Sequence, residues 1–279
     1  MTAARPRRHA GVTVTTPKAV LTWSADGSTV AKRFLRIGSP PDRLLGAPEE
    51  AFANEARVNR LLDTTATPVR TPALLAVDRS TRTLTFEAVD GDPLGPKFPT
   101  DLPEPVVRGL LGLTTAMATY RPRRRWLRRF PLERRLRVNV AAGVLSPDDA
   151  DLLRLAARPD RNRWSFAHGD ITARNVLRRT DGELVLIDWE WAGLHPPLYD
   201  LAFLWFSLAD DPAARALVAA TVPASQQQRF LVSVVLVESL HLNMWQDRGG
   251  TPASLRDRHQ GQHHLDLAAL RLLVAPDGR

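Results

Sequence analysis

The sequence predicts an α+β fold: a small sheet with one helix up to about residue 88, then a mainly helical part. Three observations carry that expectation. Between residues 11 and 88, short β-prone runs alternate with turn signals and are interrupted by a single helical pattern. From residue 105 onward most of the pattern is helical, with recognisable starts. The 279 residues are 44% hydrophobic and include seven Trp, enough for a sizeable core and too apolar for global disorder. The length allows one large or two modest domains.

Composition excludes several classes. No apolar run reaches the ~18 residues a membrane helix needs. Arg5, Arg7 and Arg8 have no apolar segment behind them, so a secretion signal is not expected. Cysteine is absent, which removes disulfides, thiolate metal sites and cysteine nucleophiles and fits a cytoplasmic protein. The net charge of +8 suits an anionic partner, but a chain rich in Ala, Arg and Pro reaches such a charge by composition alone. Nucleic acid is not an expected partner.

Taken in order, 11–16 alternates as a strand, and 19–23 and 29–35 flank a hairpin turn with Gly27 at the positive-φ position. Lys32 lies in the second arm, where it could equally be an ordinary strand lysine with its head in solvent. Pro48, Glu49 and Glu50 suit the first turn of a helix running to about Leu62, with Phe52, Ala56 and Asn59 along one side and Glu55 beside them. Strands follow at 74–77 and 83–88, and Asp90-Gly91 turns the chain. A helix is expected over 105–120. Residues 121–137 hold nine arginines around Trp126 and Phe130, either a solvated face with Arg stems packed on aromatics or an anion-binding surface. Ser146-Pro147-Asp148-Asp149 starts a helix to about Arg158. Helices are also expected over 199–209, 226–246 and 254–274. His259 and His263, four apart, read as histidines on a polar helix face, since no H-E-x-x-H accompanies them.

The richest stretch is FAHGDITARNVLRRTDGELVLIDWE, residues 166–190. Val176–Arg178 and Leu184–Ile187 read as hairpin arms around an Asp181-Gly182 turn. A hairpin brings its ends together, so Asn175 and Asp188 become neighbours, an amide oxygen and a carboxylate suited to Mg²⁺. Asp170, on the preceding loop, can then point at a hydroxyl. His168-Gly169-Asp170 alone reads equally well as a tight turn with a buried histidine.

With His168-Gly169-Asp170, Asn175, Ile187-Asp188-Trp189-Glu190 and Tyr199-Asp200-Leu201-Ala202 in this order, the chain resembles the aminoglycoside phosphotransferase-like kinases. That family includes antibiotic kinases, choline kinases and other small-molecule kinases built on the protein-kinase fold. Protein kinases differ, with Arg at the place of Gly169 and Phe-Gly at that of Trp189-Glu190. The resemblance implies a two-lobed protein-kinase-like fold, with a nucleotide-binding lobe at 1–88 and a catalytic and substrate-binding lobe at 89–279, and an enzyme that moves the γ-phosphoryl group of ATP, or of GTP, to a small-molecule hydroxyl with Mg²⁺. It assigns Asp170 to the acceptor hydroxyl, Asn175 and Asp188 to the metal, and Lys32, set by Glu55, to the phosphates. Backbone groups at about Glu87 and Val89 would hold the base. His168 would brace the loop, and Asp200 would tie its helix back to it. The final helices would wall the acceptor pocket, with Glu190, Glu238, Asp247 and Asp266 as its candidate acids. An antibiotic or amino-sugar-like acceptor is the family expectation; a sugar or metabolite is the alternative, and a non-catalytic binding module using 121–137 is a further one. One departure stands out: no Gly-rich run covers the phosphates, and only Thr15-Thr16-Pro17-Lys18 links the first strands, leaving Lys18 or the Thr hydroxyls to contact phosphate.

Overall fold

The structure is a computed structural model that describes residues 10–35, 48–158, 163–248 and 252–274. Its N-terminal region is an antiparallel sheet of β1 (Thr13–Thr15), β2 (Ala19–Trp23), β3 (Thr29–Phe34), β4 (Leu74–Asp78) and β5 (Thr83–Glu87), in the order β1-β2-β3-β5-β4. The β2–β3 turn is held by Asp26, whose Oδ1 accepts from the Ser24 hydroxyl and from the amide and hydroxyl of Ser28. Gly27 takes the left-handed position there, at φ 65°.

Helix α1 (Pro48–Asp63) buries Phe52 and Ala56 against Phe34, Leu84 and Phe86 of the sheet. Phe34 and Phe52 meet edge-on, with centroids 5.8 Å apart. The same helix buries Asn54, Glu55 and Asn59. Polar groups on a buried face need partners: Asn54 and Glu55 find them in the site described below, and Asn59 donates to the Glu55 carbonyl one turn earlier.

β6 (Gly91–Pro93) pairs with β8 (Val176–Arg179), which forms a hairpin with β9 (Leu184–Leu186). A second small ladder joins β7 (Ser165–Ala167) to β10 (Gly193–His195). The helical part comprises α2 (Glu104–Thr119), α3 (Leu132–Ala141), α4 (Pro147–Ala157), α5 (Tyr199–Ser207), α6 (Pro212–Ala220), α7 (Gln227–Arg248) and α8 (Ala253–Val274). α4 opens with a full capping box between Ser146 and Asp149. α6 and α3 go beyond the sequence reading; α6 is started by Asp211, which accepts from the Ala214 amide, and by Pro212. Leu110, Met117, Leu136, Leu153, Ile171 and Leu204 lie fully buried at the centre. No helix among the described residues is long and apolar enough to cross a membrane.

Two expectations are corrected here. The Arg-rich stretch is only partly a solvated face: Arg135 is 4% exposed, with its guanidinium over the Phe130 and Trp191 rings. Arg124 donates to the Trp164 carbonyl, and Arg128 pairs with Glu50 of α1. Arg123, Arg125 and Arg137 remain exposed. His259 and His263 do not sit on a polar face; both are buried, His259 against Phe98, Phe206 and Trp245. α8 packs on α7 through these residues, and its polar face lies elsewhere.

Candidate active site

β7 ends in His168-Gly169-Asp170, and this loop is held by the start of α5. Asp200 accepts the His168 amide at 2.9 Å and the Gly169 amide at 2.8 Å. Burial raises the Asp200 pKa above the ordinary carboxylate value, against the pull of nearby His168 and these two N–H groups. Gly169 has φ 83°, and a Cβ there would lie 2.8 Å from the Trp191 carbonyl oxygen, so only glycine fits. His168 is fully buried. Its Nδ1 accepts the Asp170 amide at 3.2 Å, which leaves Nε2–H to donate to the Ile187 carbonyl at 3.0 Å. One ring thus fixes both the loop and the strand end that carries Asp188.

Asn175 closes a single 3-10 turn and leads into β8. Its side-chain amide donates to the Asp170 carbonyl at 2.9 Å and to Asp170 Oδ2 at 3.0 Å. Its backbone carbonyl accepts from the Ile187 amide at 3.0 Å, so the hairpin ends do meet. Asp188 stands in the left-handed region at φ 68°, costly for a residue with a Cβ and frequent at functional sites.

Lys32, in β3 opposite Leu21 and Leu84, reaches Glu55 Oε2 and Asp188 Oδ1, each at 2.6 Å, with Glu190 at 4.0 Å. Burial alone would lower the pKa of this ammonium; the Asp188 and Glu55 carboxylates outweigh it and hold the pKa above the usual lysine value. Asp188 experiences the converse, its burial overcome by Lys32, which draws it down to about 2. Glu55, only 2% exposed, is pushed up to about 7 by burial, partly offset by Lys32.

Glu55, Asp188 and Glu190 offer carboxylate oxygens within 4.8 Å of one another. Lys32 already bonds two of these carboxylates and Lys18 the third, so the trio is a poor cation site as it stands. The oxygen donors that could hold a divalent cation are Asp188, whose side chain is 32% exposed, and Asn175, whose NH₂ end is spent on Asp170 and whose oxygen is the remaining donor atom.

Glu190 is therefore not a free acid for an acceptor. It is 7% exposed and accepts Lys18 Nζ at 2.8 Å. The β1–β2 link presents Lys18 through a threonine turn, with Thr16 Oγ1 accepting the Lys18 and Ala19 amides. Asn54, unnoticed in the sequence, donates to the carbonyls of Glu190 and Ala192 at 3.0 and 2.9 Å, locking α1 to the turn after Asp188. Its only sequence signal is a polar residue beside Glu55 on the buried face.

At the end of β5, the Glu87 amide is spent on the Ala73 carbonyl at 2.9 Å, so it does not serve a base in this arrangement. The Val89 amide has no backbone acceptor among the described residues. Glu238 is not brought to Asp170. It is 1% exposed between α7 and α8, against His263 at 3.2 Å, and burial with nearby Asp266 raises its pKa well above the usual range. Asp266 is also buried, accepting from Gln262. The Asp247 side chain lies outside the described residues. What does approach Asp170 is Lys97, with Nζ 3.4 Å from Oδ1. A single lysine in a Pro-rich loop carries no sequence signal.

The family model of the phosphotransferase enzyme family (APH) matches residues 17–229. No curated protein sequence matches the chain significantly. Among solved structures, a choline/ethanolamine kinase family protein from Mesorhizobium loti is similar with TM-score 0.64 and 17% identity, covering 97% of this chain and 96% of that one. Choline kinase LicA from Streptococcus pneumoniae follows with TM-score 0.61 and 14% identity over 93% and 92%. A thermostable aminoglycoside phosphotransferase APH(4)-Ia variant, in a ternary complex with AMP-PNP and hygromycin B, has TM-score 0.59 and 15% identity over 92% and 93%.

Proposed function

The chain belongs to the phosphotransferase enzyme family, and on that premise we propose that it moves the γ-phosphoryl group of ATP, or of GTP, to a hydroxyl of a small molecule. The observation that carries this reading is the convergence of Asp170, Asn175 and Asp188 with the Lys32–Glu55 pair. A neighbour of the same fold, crystallised with AMP-PNP and hygromycin B, supports placing nucleotide and acceptor together in this chain too.

In the proposed reaction Asp170 orients the acceptor hydroxyl and takes its proton. The hydroxyl oxygen bonds to the γ-phosphorus as the bond to the β-phosphate oxygen breaks, and ADP leaves. Asn175 holds Asp170 Oδ2, so the other carboxylate oxygen faces the acceptor once Lys97 gives way or swings with it. Lys32, steadied by Glu55, takes the phosphates, and Lys18 supplies a second ammonium where a Gly-rich loop is missing. Bound Mg²⁺, held by Asp188 and the Asn175 amide oxygen, would neutralise phosphate charge. His168 and Asp200 fix the loop. Glu87 and Val89 backbone groups would meet the base. For the acceptor, a sugar or metabolite fits the displaced acids better than a polycationic amino sugar.

Mg²⁺-dependent ADP formation tests the reading. Asp188→Ala should lose activity by about 10³-fold or more while melting as a folded protein. An active Asp188→Ala enzyme would overturn the metal assignment.

A further inference from the structure

The acceptor side of Asp170 carries a cation where a kinase for cationic acceptors would need acids. Lys97 Nζ lies 3.4 Å from Asp170 Oδ1, on a side chain 28% exposed. It also sits 5.3 Å from the ring centroid of Phe203 and 5.9 Å from that of Phe98. Phe98 is half-buried and meets Phe206 at 5.5 Å and the half-buried Trp245 at 5.8 Å. His241 packs on Phe206 and bonds the Val237 carbonyl, and burial with the nearby Lys97 charge keeps it neutral. Two of the candidate acids, among the described residues, are engaged elsewhere: Glu190 with Lys18, and Glu238 buried against His263.

We infer that the acceptor carries an anionic group, a carboxylate or a phosphate, close to the hydroxyl that is phosphorylated. Lys97 is its counter-charge and determines specificity, and Phe98 and Trp245 lie beside the acceptor's apolar part. This rests on the phosphotransferase reading above. Like charges about 4 Å apart near a protein surface repel strongly enough to cost a cationic acceptor at least about tenfold in affinity, and an anion gains correspondingly. An anion on Lys97 also draws the ammonium off Asp170, freeing the carboxylate oxygen that must face the hydroxyl.

The test is equilibrium binding of three hydroxyl compounds with the same ring: phenyllactate, phenyllactamide and the corresponding amino alcohol. They are titrated into protein loaded with Mg²⁺ and AMP-PNP, using wild type, Lys97→Met and Lys97→Glu. Wild type should prefer the anion over the amine by about tenfold or more, Lys97→Met should level the series, and Lys97→Glu should invert it. A wild type that prefers the amine, binds all three alike or binds none at millimolar concentration overturns the inference. So does an anion preference that survives Lys97→Met. AMP-PNP affinity is read on the same samples: failure to bind nucleotide sinks the phosphotransferase reading, whereas bound nucleotide with the amine preferred sinks only the acceptor class.

Discussion

Replacing Lys32 by Met should destabilise the protein in a way that a second substitution reverses. The Lys32 ammonium contacts Glu55 and Asp188 at 2.6 Å each and is 4.0 Å from Glu190. Methionine keeps most of the stem's packing and removes the charge. Glu55, 2% exposed, is then left beside two further carboxylates. Removing one partner of a buried pair costs about 3–5 kcal/mol. At about 2–4 °C per kcal/mol for a chain of this size, the melting temperature should fall by roughly 10 °C. The loss has a pH signature. Glu55 is already pushed up to about 7 by burial, and without Lys32 it rises further. A carboxylate whose folded pKa lies above its unfolded value stabilises less as pH climbs between the two, so the deficit should be larger at about pH 8 than at about pH 6. Lys32→Met/Glu55→Gln removes the stranded carboxylate and should recover most of the melting temperature, yet remain without turnover. Thermal melts of the wild type, both single variants and the double variant at the two pH values read out the coupling. A Lys32→Met protein melting within about 2 °C of wild type, or a double variant no more stable than the single, would refute the reasoning.

Asp200→Ala strands two buried amides, those of His168 and Gly169, and should cost about 2–6 kcal/mol in urea unfolding; a loss below about 1 kcal/mol would show that the loop stands without it. Gly169→Ala drives a Cβ to 2.8 Å from the Trp191 carbonyl at φ 83°, so kcat should fall even where the protein still folds, and unchanged kcat would contradict the loop geometry. Burial lowers His195 to about 3 and both His259 and His263 to about 4. Their contribution is full above the unfolded value near 6.5 and is lost as pH falls toward those folded values, at up to about 1.4 kcal/mol per pH unit for each histidine. Glu55, Asp200 and Glu238, each raised by burial, gain stability over the same acid range and oppose the histidines. The histidine part is therefore read as a difference: the urea midpoint of His259→Phe relative to that of the wild type should rise as pH falls from about 6.5 to 4, and an unchanged difference would mean that this ring is hydrated.

The parts legible in the sequence are those set by local rules. The β2–β3 hairpin follows from Asp26-Gly27, α4 from Ser146-Pro147, and the meeting of Asn175 with Asp188 from a hairpin that must close on itself. The Lys32–Glu55 contact spans elements whose connection needs a known fold, and the family resemblance supplied it. Side chains whose roles depend on tertiary packing were out of reach. Glu190 and Glu238 looked alike as acids, but one faces Lys18 and the other is shut between two helices. Lys97 and Asn54 gave no sign, because nothing local marks a loop lysine or a helix asparagine that finds its partner far along the chain. His259 and His263 misled because a helix of low amphipathicity gives no direction for its buried face.

The most direct test of the central claim is Mg²⁺- and ATP-dependent ADP release across a panel of hydroxyl acceptors: aminoglycosides, nucleoside and peptide antibiotics, choline, sugars and hydroxy acids. Each is run with wild type and with Asp170→Ala. The account predicts release stimulated by a particular acceptor and cut by about 10²–10⁴-fold in Asp170→Ala, with the hydroxyl phosphorylated. Acceptor-stimulated release that is undiminished in Asp170→Ala, or a wild type that binds no nucleotide, would contradict it.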